Sequence, residues 1–344
     1  MTRQTRIRLL RRLEKVRDAK LIAYFTGDRQ AFATQIGEDS VLLFREHLEK
    51  IGKVPRIDLL LYSRGGDMLT PLRIVRLIRE HCDHFGVLIP YRAHSAATAV
   101  ALGADEIVMG PLAELTPVDA TTVHPFNPPD PTNPQQRLPI SVEDINSFLA
   151  LAREEAKIQD DQMVQVFNHL DSTISPLALG NAYRTIRMAQ LAATKMLALH
   201  LDPQKDKDKI KGIVDKLTKE LCLHAYPISR KEAKNELDLN VTMAAGELEK
   251  AIWKTYLVYE DYLELKVPFN PAAILQGAAG PVPINARGAI IESVRRTDVF
   301  LVRGQVAMGQ VPNGLSGPML SMQPPQWEVE YPLRKERPCP PRPR

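Results

Sequence analysis

Apolar and polar positions in the first third of the chain form two kinds of pattern, uninterrupted apolar runs and apolar residues at helical spacing. Uninterrupted apolar runs at 21–26, 57–62 and 85–91 predict strands, and the run at 57–62 is typical of a strand covered on both faces. Apolar residues that recur every three or four positions predict helices between them, at 5–19, 38–52 and 72–78. Because strands alternate with helices, we expect an α/β fold with a largely parallel sheet.

The pattern changes further along the chain. A small-residue helix at 95–103 leads into a strand at 106–109. Residues 124–139 contain six prolines without periodicity and predict an extended loop. Residues 141–200 are predicted to be mostly helical, and the charged run at 202–219 to be a solvated helix face. A later helix carries aromatic residues that we interpret as packing, at Trp253, Tyr256, Tyr259 and Tyr262.

These segments suggest three parts. We expect a catalytic domain over 1–242, which includes the proline-rich loop and the helical insertion, then a C-terminal extension over 243–325 that is helical in part. The proline-rich tail at 326–344 is expected to be disordered.

Composition excludes several classes of protein. A net charge of +4 over 344 residues is too small to indicate nucleic-acid binding. Cys82, Cys222 and Cys339 lie far apart without metal-ligand spacing, so we expect a reducing compartment and no structural metal. No apolar run is long enough for a signal peptide or a membrane span, and the expected location is the cytoplasm.

Ser95 is the strongest candidate for chemistry. It stands where an apolar strand meets a small-residue helix, a junction at which backbone amides can support an anionic intermediate. Serine is also a common helix cap. The Gly65-Gly66 pair follows the preceding strand, and parallel strands bring such turns to one edge of a sheet. Amides near Gly65 and Ala96 would then bracket one oxygen beside a serine nucleophile.

Four segments together resemble the serine dehydrogenase proteinase family, whose members are similar to signal peptide peptidase A within the Clp protease/crotonase fold. They are Ser-Arg-Gly-Gly-Asp at 63–67, the segment at 94–110, Leu-Thr-Pro-Val-Asp at 115–119, and the His-Ala-Tyr-Pro-Ile stretch at 224–241. The resemblance covers roughly residues 10–242. It implies a spiral of ββα units, a homo-oligomer, and Ser95 as the nucleophile.

The resemblance also assigns the oxyanion donors and leaves the general base open. It places the donors at the Gly65-Gly66 turn and Ala96, although Arg64 stands where the family usually has proline. Clp-type relatives carry a catalytic histidine where this chain has Asp119, a residue that would orient a base or cap the loop.

Candidates for the base come from three other positions. Signal-peptide-peptidase relatives use a later lysine, for which Lys157 is the candidate, and His124 and His224 are the alternatives. His94 adjoins Ser95, but neighbouring side chains usually point apart. Lys157 would otherwise pair with Glu154 or Glu155, and His224 would otherwise make a structural hydrogen bond.

The sequence therefore predicts a serine endopeptidase that acts on peptide or protein substrates through a Ser95 acyl-enzyme, without metal or organic cofactor. Two alternatives remain. The first is a catalytically silent scaffold on the same fold, favoured by the missing Clp-position histidine. The second is a crotonase-type acyl-CoA enzyme, disfavoured because no basic CoA-binding motif stands out.

Overall fold

The computed structural model describes residues 2–118, 125–138, 140, 142–221, 223, 225–310 and 316–330. The helices are α1 (Arg3–Arg17), α2 (Ser40–Ile51), α3 (Thr70–Arg79), α4 (Ala96–Leu102), α5 (Val142–Ala150), α6 (Met163–Thr173), α7 (Pro176–Leu197), α8 (Lys207–Asp215), α9 (Arg230–Asn235), α10 (Gly246–Tyr262) and α11 (Pro271–Leu275). The strands are β1 (Lys20–Thr26), β2 (Val54–Tyr62), β3 (Cys82–Ile89), β4 (Arg92–Ala93), β5 (Glu106–Met109), β6 (Glu114–Leu115), β7 (Ile228–Ser229), β8 (Val241–Met243), β9 (Val282–Ser293), β10 (Arg296–Gln310), β11 (Ser316–Met322) and β12 (Gln326–Val329).

A central sheet organises the molecule, in the order β11-β10-β9-β1-β2-β3-β5-β8, with β12 paired to β10. Strands β1, β2, β3, β5 and β8 pair in parallel, as the alternating pattern of the sequence predicts. Because parallel strands point the same way, the loops that follow β2 and β3 meet at one edge of the sheet. The predicted α/β fold class is confirmed.

Both faces of the parallel strands are covered, since successive side chains of a strand point to opposite sides. Leu59 and Leu61 of β2 pack into one cluster with residues of α2, α3, α4 and α7. Leu60 and Tyr62 pack into a second cluster with residues of α1 and α10. This two-sided burial explains the uninterrupted apolar run at 57–62, and the aromatic residues of α10 lie in the second cluster.

The C-terminal part contains the expected helix and, in addition, strands that the sequence pattern did not predict. Of the described residues beyond 243, those of α10 and α11 are helical; antiparallel strands follow, and β9 pairs with β1 along 289–293. Residues 289–293 and 297–299 are buried and complete the sheet, whereas Pro283 lies near the start of β9 and Pro318 on the exposed strand β11.

A second, smaller sheet stands at the edge where the loops after β2 and β3 lie. Strand β4 pairs in parallel with β6, and β6 pairs antiparallel with β7. Ser229 ends β7 and caps α9 through a reciprocal pair of hydrogen bonds with Glu232. The late family-like segment at 225–241 therefore lies beside β6, the strand that directly precedes Thr116.

The helical insertion packs against the same side of the sheet as α4. Helix α7 contacts α3 and α4, and Ala192, Ala193 and Met196 enter the first core cluster. Helix α5 continues as a π-helical turn over Leu151–Glu155, and α8 ends in another over Lys216–Glu220. Residues 125–138 form turns closed by a bridge between Pro129 and Arg137, in line with the predicted loop. Among the described helices, none combines the length and apolar character that a bilayer crossing requires.

Candidate active site

Ser95 occupies a strained turn between β4 and α4. Its backbone has φ 50° and ψ −111°, on the positive-φ side that residues with a Cβ rarely adopt. Its hydroxyl accepts no hydrogen bond from the first turn of α4, all of which the structure describes. Helix capping therefore does not explain the serine at this position. The residue is buried, with 7% of its surface exposed.

Two threonines fix the backbone of this turn. The Ser95 amide donates to Thr116 Oγ1 at 2.8 Å, and the Thr116 amide donates to Thr98 Oγ1 at 3.1 Å. The Thr98 hydroxyl in turn donates to the carbonyl of Ala93 at 2.8 Å. Sequence reasoning did not identify either threonine as part of the site, although Thr116 belongs to the Leu-Thr-Pro-Val-Asp segment that supported the family resemblance.

The glycine turn lies directly against Ser95. Gly65 has φ 107° and Gly66 φ 149°. A Cβ on Gly65 would lie 2.9 Å from Ser95 Cβ and 3.3 Å from the Ala96 nitrogen, and one on Gly66 would lie 2.3 Å from the Ile36 carbonyl oxygen. Both positions therefore require glycine, because the backbones approach too closely for a side chain. The structure brings together the two segments that the sequence analysis paired.

The amides of this turn are not equivalent. The Gly65 amide donates to Ser63 Oγ at 3.0 Å, and Thr26 Oγ1 donates to the same hydroxyl at 2.7 Å. By contrast, the amides of Gly66 and Ala96 donate no hydrogen bond to any residue in the described part of the chain. Two of the three predicted oxyanion donors thus have an uncommitted N–H, and the third is already engaged.

A charged cluster borders the site on the side of the small sheet. His94 Nε2 lies 3.0 Å from Glu114 Oε1, and Arg92 donates to the same oxygen at 3.3 Å. Asp28 accepts from Arg64 at 2.6 Å and from Arg92 at 3.2 Å. Burial chiefly lowers the pKa of His94 below 6.5, with Glu114 opposing and the two arginines assisting. His94 is therefore neutral near pH 7, and Glu114 engages its Nε2.

The predicted base candidates are placed differently. Lys157 follows the π-helical turn with φ 52° and is exposed, so the structure does not bury it beside Ser95. Asp119, His124 and His224 lie outside the described residues. In the part of the chain that is described, no group of three or more His, Cys, Asp or Glu side chains is arranged to hold a metal ion.

Comparison with known proteins agrees with the resemblance inferred from the sequence. Residues 1–132 match the family model described as ClpP-like SDH-type serine proteinase. This match includes the glycine turn, Ser95 and Thr116, and ends before the helical insertion. The predicted family resemblance is confirmed over this part of the chain.

Two proteins of Methanocaldococcus jannaschii are similar to this chain over most of its length. The uncharacterized protein MJ1495 is 28% identical over 262 residues, which is 71% of this chain and 75% of that protein. The uncharacterized protein MJ0137 is 28% identical over 266 residues, which is 73% of this chain and 78% of that protein.

Solved structures of the membrane-bound stomatin-specific protease 1510-N are also similar. One is a serine-to-alanine variant, at 14% identity and a TM-score of 0.36, covering 67% of this chain and 84% of that one. The other is a lysine-to-alanine variant in complex with a substrate peptide, at 16% identity and a TM-score of 0.36, covering 67% and 79%.

Proposed function

For a chain whose residues 1–132 match a ClpP-like serine proteinase family, we propose peptide-bond hydrolysis with Ser95 as the nucleophile. The observation that carries the proposal is the Ser95 turn itself. Its hydroxyl does not cap α4, its backbone is held at positive φ, and two uncommitted amides flank it. Strain of this kind costs about 1–3 kcal/mol and persists where the surroundings enforce it, commonly at active sites.

The proposed reaction begins when Ser95 Oγ attacks the carbonyl carbon of a peptide bond. The hydroxyl proton passes to a general base, and the carbonyl oxygen becomes an anion that accepts hydrogen bonds from the Gly66 and Ala96 amides. Collapse of this intermediate breaks the C–N bond, protonates the leaving amine and leaves an acyl-enzyme. Water then attacks the ester, releases the acid product and returns the proton to Ser95.

We propose Gly66 and Ala96, rather than Gly65, as the oxyanion donors. Gly65 keeps a different role, because its amide anchors the turn through Ser63 and its missing side chain admits Ser95. The candidates for the general base are Lys157, His124 and His224, and Asp119 is the candidate for orienting it. A homo-oligomeric assembly remains an expectation from the family resemblance.

Covalent labelling tests the proposal. A fluorophosphonate probe is expected to modify the wild-type protein at Ser95, with the adduct located by mass spectrometry. The Ser95→Ala variant should lose labelling and peptidase activity by roughly a thousandfold or more. Ser172→Ala is the matched control, because Ser172 is an exposed serine of α6, and it should label normally.

Two outcomes would contradict the proposal. Equal labelling of wild type and Ser95→Ala would place the reactive group elsewhere. Absence of labelling and of peptide hydrolysis in a folded wild type would favour the scaffold. Substitution of Lys157, His124 and His224 by glutamine, one at a time, then identifies the base as the position whose folded variant loses labelling.

A further inference from the structure

A basic cleft lies at the edge of the sheet opposite the Ser95 site. It has a volume of about 890 Å³ and is walled by the second half of α1, the starts of β1 and β2, and the turn between β9 and β10. Val54, which lines the cleft, is the first residue of β2. Ser63, at the glycine turn, directly follows the last residue of the same strand. Nine strand residues separate the two regions by about 25–30 Å.

Basic residues dominate the lining of this cleft. Six basic and two acidic side chains face it: Arg3, Arg11, Lys15, Lys20, Arg56 and Arg295 against Glu14 and Asp18. The difference, six minus two, is a formal charge of +4, equal to the net charge of the entire chain. The carbonyl end of α1 adds only about half a negative charge. The cleft is therefore a concentrated positive region on a nearly neutral protein.

Two of the six cations are already committed. Arg56 donates to Asp58 at 3.0 Å and to Glu106 at 2.5 Å. Arg3 donates to Thr297 Oγ1 at 2.8 Å and lies 3.9 Å from Glu292. These arginines contribute to the walls, but their charge is balanced within the fold.

The other four cations form no ion pair with a described carboxylate, namely Arg11, Lys15, Lys20 and Arg295. All four are exposed, and they come from three separate elements: α1, the start of β1 and the β9–β10 turn. Glu14, which lies among them, instead accepts a hydrogen bond from the Leu21 amide at 3.2 Å. Convergence of unpaired cations from distant parts of the sequence is the arrangement that a multivalent anion would neutralise.

We propose that this cleft binds a small ligand with several linked phosphate groups, such as the triphosphate of a nucleotide or inorganic polyphosphate. Phosphate carries nearly two negative charges and accepts hydrogen bonds from arginine in a paired geometry, which suits a site with two arginines and two lysines. The volume is within the range of small-molecule sites. The chain's own end is not a suitable occupant, since residues 331–344 contain five basic residues and one acidic residue.

Calorimetric titration of the full chain with inorganic tripolyphosphate tests this site. Wild type is expected to bind, and binding should weaken at least about tenfold between about 50 and 200 mM salt because counterions compete for the cations. A variant in which the four unpaired cations are replaced by glutamine should lose about tenfold or more in affinity. Circular dichroism verifies that each variant is folded. If the combined variant does not fold, the four single replacements are titrated in its place.

The matched control removes the same charge elsewhere. Arg8, Lys211, Lys231 and Lys254 are exposed, do not line the cleft and form no ion pair with a described carboxylate. Their combined replacement by glutamine should leave affinity within about twofold. Nucleoside triphosphate and polyphosphate, titrated separately, distinguish the two sources of the triphosphate group.

Three results would overturn the proposal. They are absence of tripolyphosphate binding by the wild type at about 50 mM salt, equal loss of affinity in the control and cleft variants, and binding of the tricarboxylate citrate as tight as that of tripolyphosphate. The second would show a response to net charge alone, and the third a site that does not select phosphate.

Discussion

Gly65 lies at φ 107° with its Cα against the side chain of Ser95. The geometry of the site therefore depends on glycine at this position, because any side chain there would push against both the nucleophile and the Ala96 amide. The strain at Ser95 and the positive φ at Gly65 therefore belong to one packing arrangement. Thr116 and Ser63 complete it by holding the Ser95 and Gly65 amides.

Gly65→Ala is expected to lower the free energy of unfolding by about 3 kcal/mol, from the unfavourable φ and the 2.9 Å contact with Ser95. It should also abolish fluorophosphonate labelling in whatever fraction is folded. Chemical denaturation measures the change in the free energy of unfolding. Gly180→Ala is the control: Gly180 lies inside α7 with nothing within 4 Å of its Cβ position, and alanine there should stabilise by about 0.5–1 kcal/mol. Equal effects at both positions would contradict this account of the turn.

Helix α2 is fastened to the β9–β10 hairpin by a buried polar chain. His47 lies 2.9 Å from Ser293 through Nδ1 and 2.9 Å from Asp298 through Nε2. Asp298 also accepts two hydrogen bonds from Arg296, at 2.6 and 2.7 Å. His47 and Ser293 are almost completely inaccessible, so this Ser–His–Asp arrangement joins elements and does not meet substrate.

The buried His47 in this hydrogen-bonded group predicts a loss of stability in mild acid. Burial chiefly lowers the pKa of His47 below 6.5, and the bond to Asp298 opposes it only in part. Below pH 6.5 the unfolded chain therefore binds a proton that the folded protein refuses, so the free energy of unfolding falls as the pH falls. The slope from this group approaches about 1.4 kcal/mol per pH unit until the folded histidine titrates.

Denaturation at pH 7 and pH 5 measures this effect. His47→Gln should reduce the difference between the two pH values, while lowering stability at pH 7 by about 1–2 kcal/mol through weaker hydrogen bonds. Part of the difference should remain, because burial also lowers the pKa of His94 and His200. His81→Gln, which removes a partly exposed histidine outside this hydrogen-bonded cluster, is the matched control. An unaltered difference in His47→Gln would refute the assignment.

A buried polar network joins α1 to β9 and α10. Arg6 of α1 donates to Glu292 of β9 at 2.7 and 3.2 Å, and both side chains are fully buried. Tyr259 donates to Glu292 at 2.8 Å, and the Arg6 guanidinium stacks 3.9 Å from the Tyr262 ring centroid. This network ties α1, α10 and the antiparallel half of the sheet into one body, although α1 and β9 are far apart in sequence.

Arg6→Met is expected to cost about 3–5 kcal/mol, because the buried Glu292 would lose its closest cation and keep only hydroxyl donors, from Tyr259 and Thr297, at hydrogen-bond distance. Adding Glu292→Met should recover a large part of that loss, since a buried pair replaced by apolar groups is often neutral. Arg12→Met is the control: Arg12 pairs with Glu247 at the surface and should cost less than about 1 kcal/mol. Thermal and chemical unfolding report all three, and a double variant no more stable than Arg6→Met would contradict the explanation.

Local patterns in the sequence determined a substantial part of this protein. The sequence predicts strands β1, β2 and β3 from uninterrupted apolar runs and the helices between them from apolar residues at helical spacing. It predicts the glycine turn and the Ser95 junction from the positions where those runs end. They are readable because each depends on neighbours within a few positions. The parallel direction of the strands then placed Gly65 and Ser95 at one edge without any knowledge of contacts.

The remaining features depend on contacts between residues that are distant in the sequence. Which amides near Ser95 remain uncommitted depends on Ser63 and Thr26, and the turn itself depends on Thr116, 21 residues beyond Ser95. The antiparallel extension was not predicted because a strand's sequence carries its own propensity but not the identity of its partner, here β1, more than 260 residues away. The basic cleft likewise exists only where α1 and the β9–β10 turn meet. Contacts between residues distant in the sequence produce these features, and local sequence patterns do not specify such contacts.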